Sequence, residues 1–281
     1  MQDICDLNIA FLGCGKMGEA IMAGWLDAKA NGAKDLSAIP RDNITVVEKT
    51  SDRASFIANR YGVKCVTSLS DVELCDVLVL AIRPQQMSQA LGAICEYSAF
   101  SNSLFISIAA GLCTDKLQDM LPATSRLVRV MPNLPLLIKS GASALCGSES
   151  SNQADIKLSQ ALFSRIGIVE VVEEDQMDVC TAISGSGPAY VAMMVDALAN
   201  AGVKNDLPYD VALALALQTC SGTSDMIRSL KLDPHELECE VAVKGGSTIA
   251  AIDFMNDKGL KDIYERAVSA AVEKNRELSK L

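Results

Sequence analysis

Three glycines and the apolar run before them are the residues of this chain best suited to chemistry. Leu7-Asn8-Ile9-Ala10-Phe11-Leu12 leads directly into Gly13-Cys14-Gly15-Lys16-Met17-Gly18. A helical pattern (Glu19, Ala20, Ile21, Met22, Ala23, Trp25, Leu26) begins at once. Strand, glycine turn and helix in that order form the context of a dinucleotide-binding fingerprint. Gly13 permits the tight turn, Gly15 lets the backbone approach a pyrophosphate, and Gly18 lets the helix pack closely on the strand. The helix start adds free N–H groups and the positive end of a dipole, so the peptide groups of Cys14, Lys16 and Met17 become candidate phosphate contacts. Without a ligand the same pattern is a plain β-to-α turn.

Further candidates sit where later strands end, because ligands of open α/β sheets lie outside the carboxyl ends of the strands. The second strand ends in Val46-Val47-Glu48-Lys49-Thr50-Ser51-Asp52-Arg53. Glu48 there suits a ribose 2′-hydroxyl, which points to NAD; Lys49, Thr50, Ser51 and Arg53 suit a 2′-phosphate, which points to NADP. Both readings stand at this level. Ala81-Ile82-Arg83-Pro84 closes the next strong strand, and Ile108-Ala109-Ala110-Gly111 follows the one after, with residues small enough for a flat ring to lie on the backbone. Met131-Pro132-Asn133-Leu134-Pro135 is a rigid turn that presents Asn133.

The elements that must position these residues follow from hydrophobic pattern. Strands are expected at 9–12, 44–47, 64–66, 77–82, 104–107, 126–131, 142–146 and 168–172, with helices at 51–60, 85–95, 114–120 and 155–166 between them. Short, wholly apolar runs such as Val77-Leu78-Val79-Leu80-Ala81 belong in parallel sheets covered on both faces. Residues 1–173 therefore read as an α/β, Rossmann-type, doubly wound domain. Residues 29–43 read as an extended loop, which lengthens the usual spacing between glycine turn and acidic residue. From residue 174 strand signals vanish, and 174–281 reads as an all-α dimerisation and substrate-binding domain. Its long helices are expected at 188–203, 208–230 and 259–278. The segment 212–217 is apolar all round, so its helix should be buried on every side. A helical domain of roughly 110 residues has little core to spare for that, and burial against a second subunit is the economical solution.

Composition excludes several functions. The chain has 281 residues, 49% of them apolar and only 4% aromatic, and a net charge of −10. An acidic surface repels phosphate backbones, so no nucleic-acid partner is expected. Ten cysteines are scattered without a Cys-x-x-Cys pair beside a single histidine, His235, so no metal site is expected. Among aliphatic neighbours, as in Ala144-Leu145-Cys146, they read as small buried hydrophobes of a reducing cytosol. The start lacks the basic and apolar regions of a signal peptide. The uncharged stretch 211–224 falls below the roughly 18 residues of a membrane span. The expectation is a cytoplasmic protein with no membrane partner.

Two motifs remain in the second half. Ser184-Gly185-Ser186-Gly187-Pro188-Ala189-Tyr190 is a helix start, with proline in its first turn. Lys244-Gly245-Gly246-Ser247-Thr248 precedes a second start, and its glycines and hydroxyls suit a small carboxylate. By itself it also reads as an ordinary helix cap.

Together, in this order, the motifs resemble pyrroline-5-carboxylate reductases over nearly the whole chain, from about Leu7 to Leu278. The most specific elements are Arg129-Val130-Met131-Pro132-Asn133-Leu134-Pro135, the 184–190 segment and Gly245-Gly246-Ser247-Thr248. The resemblance implies reduction of the cyclic imine L-1-pyrroline-5-carboxylate to L-proline with NADPH or NADH, the last step of proline biosynthesis. It implies homodimers interlocked through the helices, often assembled into decamers, with active sites between one subunit's cofactor domain and the interface helices. It also implies that Gly246, Ser247 and Thr248 bind substrate, with backbone N–H groups on the carboxylate and the Thr248 hydroxyl near the ring nitrogen as the catalytic contact. Hydride transfer to a protonated imine asks for positioning more than for an acid–base pair, which suits a chain with one histidine. The chain departs from the family at Lys244 (usually proline), Leu134 (usually threonine), Arg83 (usually lysine) and Glu240 (usually polar or neutral), changes that bear on substrate preference. Two other classes fit less of the chain: a hydroxyacid reductase, which needs a general acid such as Lys204 or Lys231, and a ligand-binding regulator without turnover.

Overall fold

The apolar runs of the first half become the strands of one sheet in the computed structural model, which describes residues 3–27, 37–94 and 96–279. The strands are β1 (Ile9–Leu12), β2 (Ile44–Val47), β3 (Lys64–Val66), β4 (Val77–Leu80), β5 (Leu104–Ser107), β6 (Arg126–Met131), β7 (Gly141–Gly147) and β8 (Gly167–Val171). Their order is β3-β2-β1-β4-β5-β6-β7-β8. All neighbours are parallel except β6 and β7, which run antiparallel. Ile9 aligns with Ile44 on one side and Val77 on the other. The sheet therefore winds outward in both directions from β1. The carboxyl ends of β1 and β4 flank a topological switch point, where the flanking connections leave on opposite faces and open a crevice.

Helices α1 (Lys16–Leu26), α2 (Ser51–Tyr61), α3 (Met87–Ile94), α4 (Thr114–Gln118), α5 (Gln153–Phe163) and the short α6 (Met177–Cys180) connect or follow the strands. Side chains alternate across the sheet, so β1 sends Ile9 and Phe11 to one core and Ala10 and Leu12 to the other. The first core centres on Trp25, which is fully buried between Phe11 and Phe163 with ring centroids 5.4 and 5.6 Å away. The expected loop at 29–43 lies partly outside the described residues. Its last residues, Arg41–Asn43, form a 3₁₀ turn into β2.

The chain divides into two compact units, Met1–Gly185 with Val272–Leu281, and Ser186–Ala271. The second holds α7 (Gly187–Lys204), α8 (Tyr209–Leu230), α9 (Pro234–Val241), α10 (Ser247–Asp257) and most of α11 (Leu260–Leu278). Helices α7 and α8 pack closely. A Cβ on Gly202 would stand 2.7 Å from Ala212 Cβ, so glycine is what allows the approach. The expectation that 212–217 is buried on every side fails for the single chain. Ala212 and Ala216 are buried, while Leu215 and Leu217 are 59% and 52% exposed. The helical hairpin covers one stripe of α8 and leaves Leu215 and Leu217 largely open. Met193, Phe254 and Ile263 of the same unit are likewise exposed. Large apolar side chains left open on four helices of one unit suit an interaction face. Among the described residues no helix is long and apolar enough to cross a membrane.

Replacing Phe163 by alanine removes one wall of the Trp25 site. The expected cost is about 3–5 kcal/mol. Since Trp25 is the only tryptophan, its emission in a denaturant titration checks this directly. A midpoint unchanged from wild type would contradict the packing described.

Candidate functional site

A cleft of about 640 Å³ opens at the switch point. Gly13, Cys14 and Gly15 form its floor, Glu48, Lys49 and Thr50 one wall, and Ala81, Ile82 and Arg83 the other. Gly13 has φ +80°, and a Cβ there would meet Ile82 Cγ2 at 2.6 Å, so only glycine fits. A Cβ on Gly15 would meet nothing within 4 Å: the space above this peptide is open. Gly18 is buried, and a Cβ there would stand 3.0 Å from Ala81 Cβ, so its absence lets α1 pack closely on the strand end. A floor of uncapped helix N–H groups beneath open space fits a pyrophosphate.

The glycine turn is held from β2. Gly13 N donates to Val47 O at 2.9 Å. Cys14 N donates to Glu48 Oε2 at 3.2 Å, and Cys14 O accepts from Arg53 Nε and Nη2 at 3.0 and 2.7 Å. Arg53 also donates to Glu19 and lies over the Phe56 ring at 5.2 Å. Glu19 accepts a 2.6 Å hydrogen bond from the Tyr61 hydroxyl. Burial opposes ionisation of Glu19, but the hydrogen bonds from Tyr61 and Arg53 and the charges of Arg53 and Arg60 outweigh it and hold the carboxyl below its usual range. Burial, reinforced by Glu19, pushes the Tyr61 hydroxyl up to about 12. Burial likewise pushes the Cys14 thiol up to about 12, so it is a protonated filler of the turn and a poor nucleophile.

The remaining expected contacts are distributed elsewhere in the first unit. Lys16 and Met17 line a separate hollow of about 420 Å³ on the flank of α1, with Tyr61 and Leu136. Pro84, Ala110 and Gly111 line another of about 380 Å³, with Arg129, Asp178 and Asn275. Ala109 is buried and lines neither hollow. The 131–135 turn does not present Asn133 to the main cleft. Asn133 is buried, its Nδ2 donating to Ser184 O at 3.0 Å and its Oδ1 accepting from Ala142 N at 2.8 Å. An asparagine between prolines joins two backbone segments more readily than it reaches solvent. Sequence reasoning missed Thr67, Ser68, Gln86 and Gln89, which also line the main cleft. Thr67 and Ser68 follow β3, and the strand-end rule applied there points to them. It also missed Glu174, which accepts from Arg129 and, at 3.2 Å each, from Cys146 Sγ and Thr114 N. Arg129 is only 3% exposed, and Glu174 balances its charge.

In the second unit, Gly246 is the N-cap of α10 without a side-chain cap, and Gly245 before it has φ +81°. Ser247 begins the helix, and Thr248 lines an apolar cleft of about 350 Å³ with Met226, Leu237, Glu238 and Ile252. Lys244 and Glu240 are exposed.

The depressed Glu19 carboxyl has a consequence in acid. Its contribution to stability is present above the ordinary carboxyl value of about 4.3 and is lost as pH falls through the lower folded value. Urea midpoints measured between about pH 5 and pH 3 should therefore fall more steeply for wild type than for Glu19→Gln. Parallel profiles would show that the clamp carries no charge-dependent stability.

Comparison with known proteins agrees with both halves. Residues 174–278 match the family model described as pyrroline-5-carboxylate reductase dimerisation, and residues 8–111 match that described as NADP oxidoreductase coenzyme F420-dependent. The pyrroline-5-carboxylate reductase of Synechocystis is 32% identical, covering 98% of this chain and 99% of the relative. That of Glycine max is 34% identical, covering 97% and 96%. Among solved structures, the pyrroline-5-carboxylate reductase of Coxiella burnetii superposes with a TM-score of 0.88 at 30% identity, covering 98% and 99%. The Plasmodium falciparum pyrroline carboxylate reductase with NADP bound gives 0.84 at 29% identity, covering 98% of each chain. Built on a nicotinamide-dinucleotide fold in its first half and a dimerisation domain in its second, the chain belongs to the pyrroline-5-carboxylate reductase family.

Proposed function

We propose that this chain is an NAD(P)H-dependent oxidoreductase that reduces L-1-pyrroline-5-carboxylate to L-proline, the last step of proline biosynthesis. The observation that carries the reading is the full-length relationship to such reductases, which spans both the glycine turn and the 245–248 segment. In this reading the cofactor domain is 1–173 and the dimerisation and substrate domain is 174–281.

The bound nicotinamide supplies a hydride to the imine carbon, and the chain supplies position. Gly13, Cys14 and Gly15 seat the pyrophosphate, with the α1 dipole of Lys16, Met17 and Gly18 behind it. Glu48 and Lys49 face the adenosine ribose, and Ala81, Ile82 and Arg83 form the opposite wall, with Pro84 leading from it into the neighbouring hollow. Ala110 and Gly111 offer a flat backbone surface next to the buried Ala109, and Asn133 acts by tying Ser184 to Ala142. On the substrate side, Gly246 leaves room for the carboxylate, its own N–H being turned to Val243 O, the uncapped N–H groups of α10 from Ser247 onward hold the carboxylate, and the Thr248 hydroxyl orients the ring nitrogen. Holding the imine carbon against the hydride donor converts a bimolecular encounter into an intramolecular step. No side chain has to shuttle a proton during hydride transfer if the nitrogen arrives protonated.

The exposed apolar face of the helical unit pairs two chains, and dimers build a decamer. The nine cysteines among the described residues are all free thiols, as suits a reducing cytoplasm.

Oxidation of NADH and NADPH, followed by absorbance with the pyrroline substrate, tests the reading. Rapid substrate-dependent oxidation is expected; a folded, cofactor-binding protein that fails to turn over would contradict it. Thr248→Ala should lower kcat about 10- to 100-fold, the loss of one charge-assisted hydrogen bond, with cofactor affinity unchanged. Full turnover by that variant would remove the role. Leu215→Glu places a charge on the exposed face of α8, so sedimentation should show a monomer, and an active monomer would overturn the assembly.

A further inference from the structure

We propose that Glu48 makes this chain select NADH over NADPH, because the arginine that follows β2 is turned into the glycine turn and away from the cleft. The inference rests on the reading of the cleft as a nicotinamide-dinucleotide site.

Selection between the two coenzymes is decided at the 2′ position of the adenosine ribose. A 2′-hydroxyl is a donor and needs an acceptor. A 2′-phosphate is dianionic near neutral pH and needs cations or donors. Glu48 lines the cleft and is the residue directly after β2. Its carboxylate is oriented: Oε2 accepts from Cys14 N at 3.2 Å and Oε1 from Thr50 Oγ1 at 3.5 Å. Each oxygen keeps a lone pair for a further donor. The same fixed charge repels a phosphate placed where the hydroxyl would lie.

A 2′-phosphate site would need compensation from the neighbouring cations, and the geometry withholds it. Arg53 makes two hydrogen bonds to Cys14 O and one to Glu19, and it lies on Phe56. Glu19 is in turn held by Tyr61. Swinging the guanidinium toward a phosphate would break all of these and release the turn. Arg83 borders the cleft beyond β4, and β4 is separated from β2 by β1. Two strand spacings amount to about 10 Å. Lys49 lines the cleft but is exposed, a hydrated point charge on a flexible stem. Thr50 directs its hydroxyl to Glu48. The balance on this wall is one oriented carboxylate against one solvated lysine.

Calorimetric titration of the full-length protein with NADH and with NADPH, without imine, tests the assignment. Wild type should bind NADH about tenfold or more tightly than NADPH, and Glu48→Gln, which keeps size and removes charge, should shift the ratio toward NADPH by about tenfold or more. Arg53→Lys should weaken both coenzymes alike, because Arg53 acts through the turn; its role is positioning. Equal affinities or an NADPH preference in wild type would overturn the proposal, and so would a ratio unmoved by Glu48→Gln. A ratio governed by Lys49→Ala, with Glu48→Gln silent, would also overturn it. Selective NADH binding by a protein that does not reduce the pyrroline would uphold this assignment while contradicting the substrate reading.

Discussion

The backbone of one residue, Cys14, is gripped at both of its peptide groups, and the geometry of the first unit converges on it. Its N–H is taken by Glu48 and its carbonyl by Arg53, both from the segment that follows β2. The grip requires β1 and β2 to be parallel and in register, Leu12 beside Val47, so that both strands end at the same height. It also requires Gly13 in the left-handed region, where a side chain would strike Ile82. With these met, α1 starts at the switch point with its free N–H groups toward open space. The sheet topology creates the crevice, and the Glu48–Cys14–Arg53 tie fixes what lines it.

The two units treat apolar surface differently, and the difference is functional. The first covers its sheet on both faces, with Trp25 and Phe163 on one and Leu80, Met87 and Leu91 on the other. Its buried Arg129 is balanced by Glu174, which also accepts from Cys146 and Thr114, so the charge is enclosed without being left unpaired. The helical unit leaves Met193, Leu215, Leu217 and Phe254 uncovered. A chain with a dimerisation domain has a use for that surface, and the single chain has none.

Most of the first unit is legible in the sequence because its strands are short and wholly apolar between polar turns. Val77–Leu80 and Leu104–Ser107 read as central strands since no helix of useful length fits those runs. The glycine turn is legible because three backbone demands fall on three spaced glycines. Burial in the second unit is less legible: 212–217 is apolar all round, but hydropathy does not say whether the covering partner belongs to the same chain. The five residues Thr181–Gly185 form a π-helical turn that pattern cannot reveal, because glycine and serine there read equally as a loop. The α9 helix carries a start signal, Asp233 accepting from His235 N and Glu236 N with proline following, but its polar composition hides its extent. At the site, the types of Glu48 and Arg53 leave either coenzyme open. The hydrogen bonds that turn Arg53 into the glycine turn depend on Glu19 of α1, which itself accepts from Tyr61, and that is a tertiary arrangement no local pattern carries.

The chemistry proposed for this chain is positional: a hydride donor and an imine carbon held together by backbone groups and a hydroxyl. Isotope transfer is therefore its most direct test. With coenzyme deuterated at C4 of the nicotinamide on the transferred face, mass spectrometry of the product should find one deuterium in L-proline, on the ring carbon bonded to nitrogen that carries no carboxylate. Proline formed without that label, or coenzyme oxidised without labelled proline, would contradict direct hydride transfer to the imine.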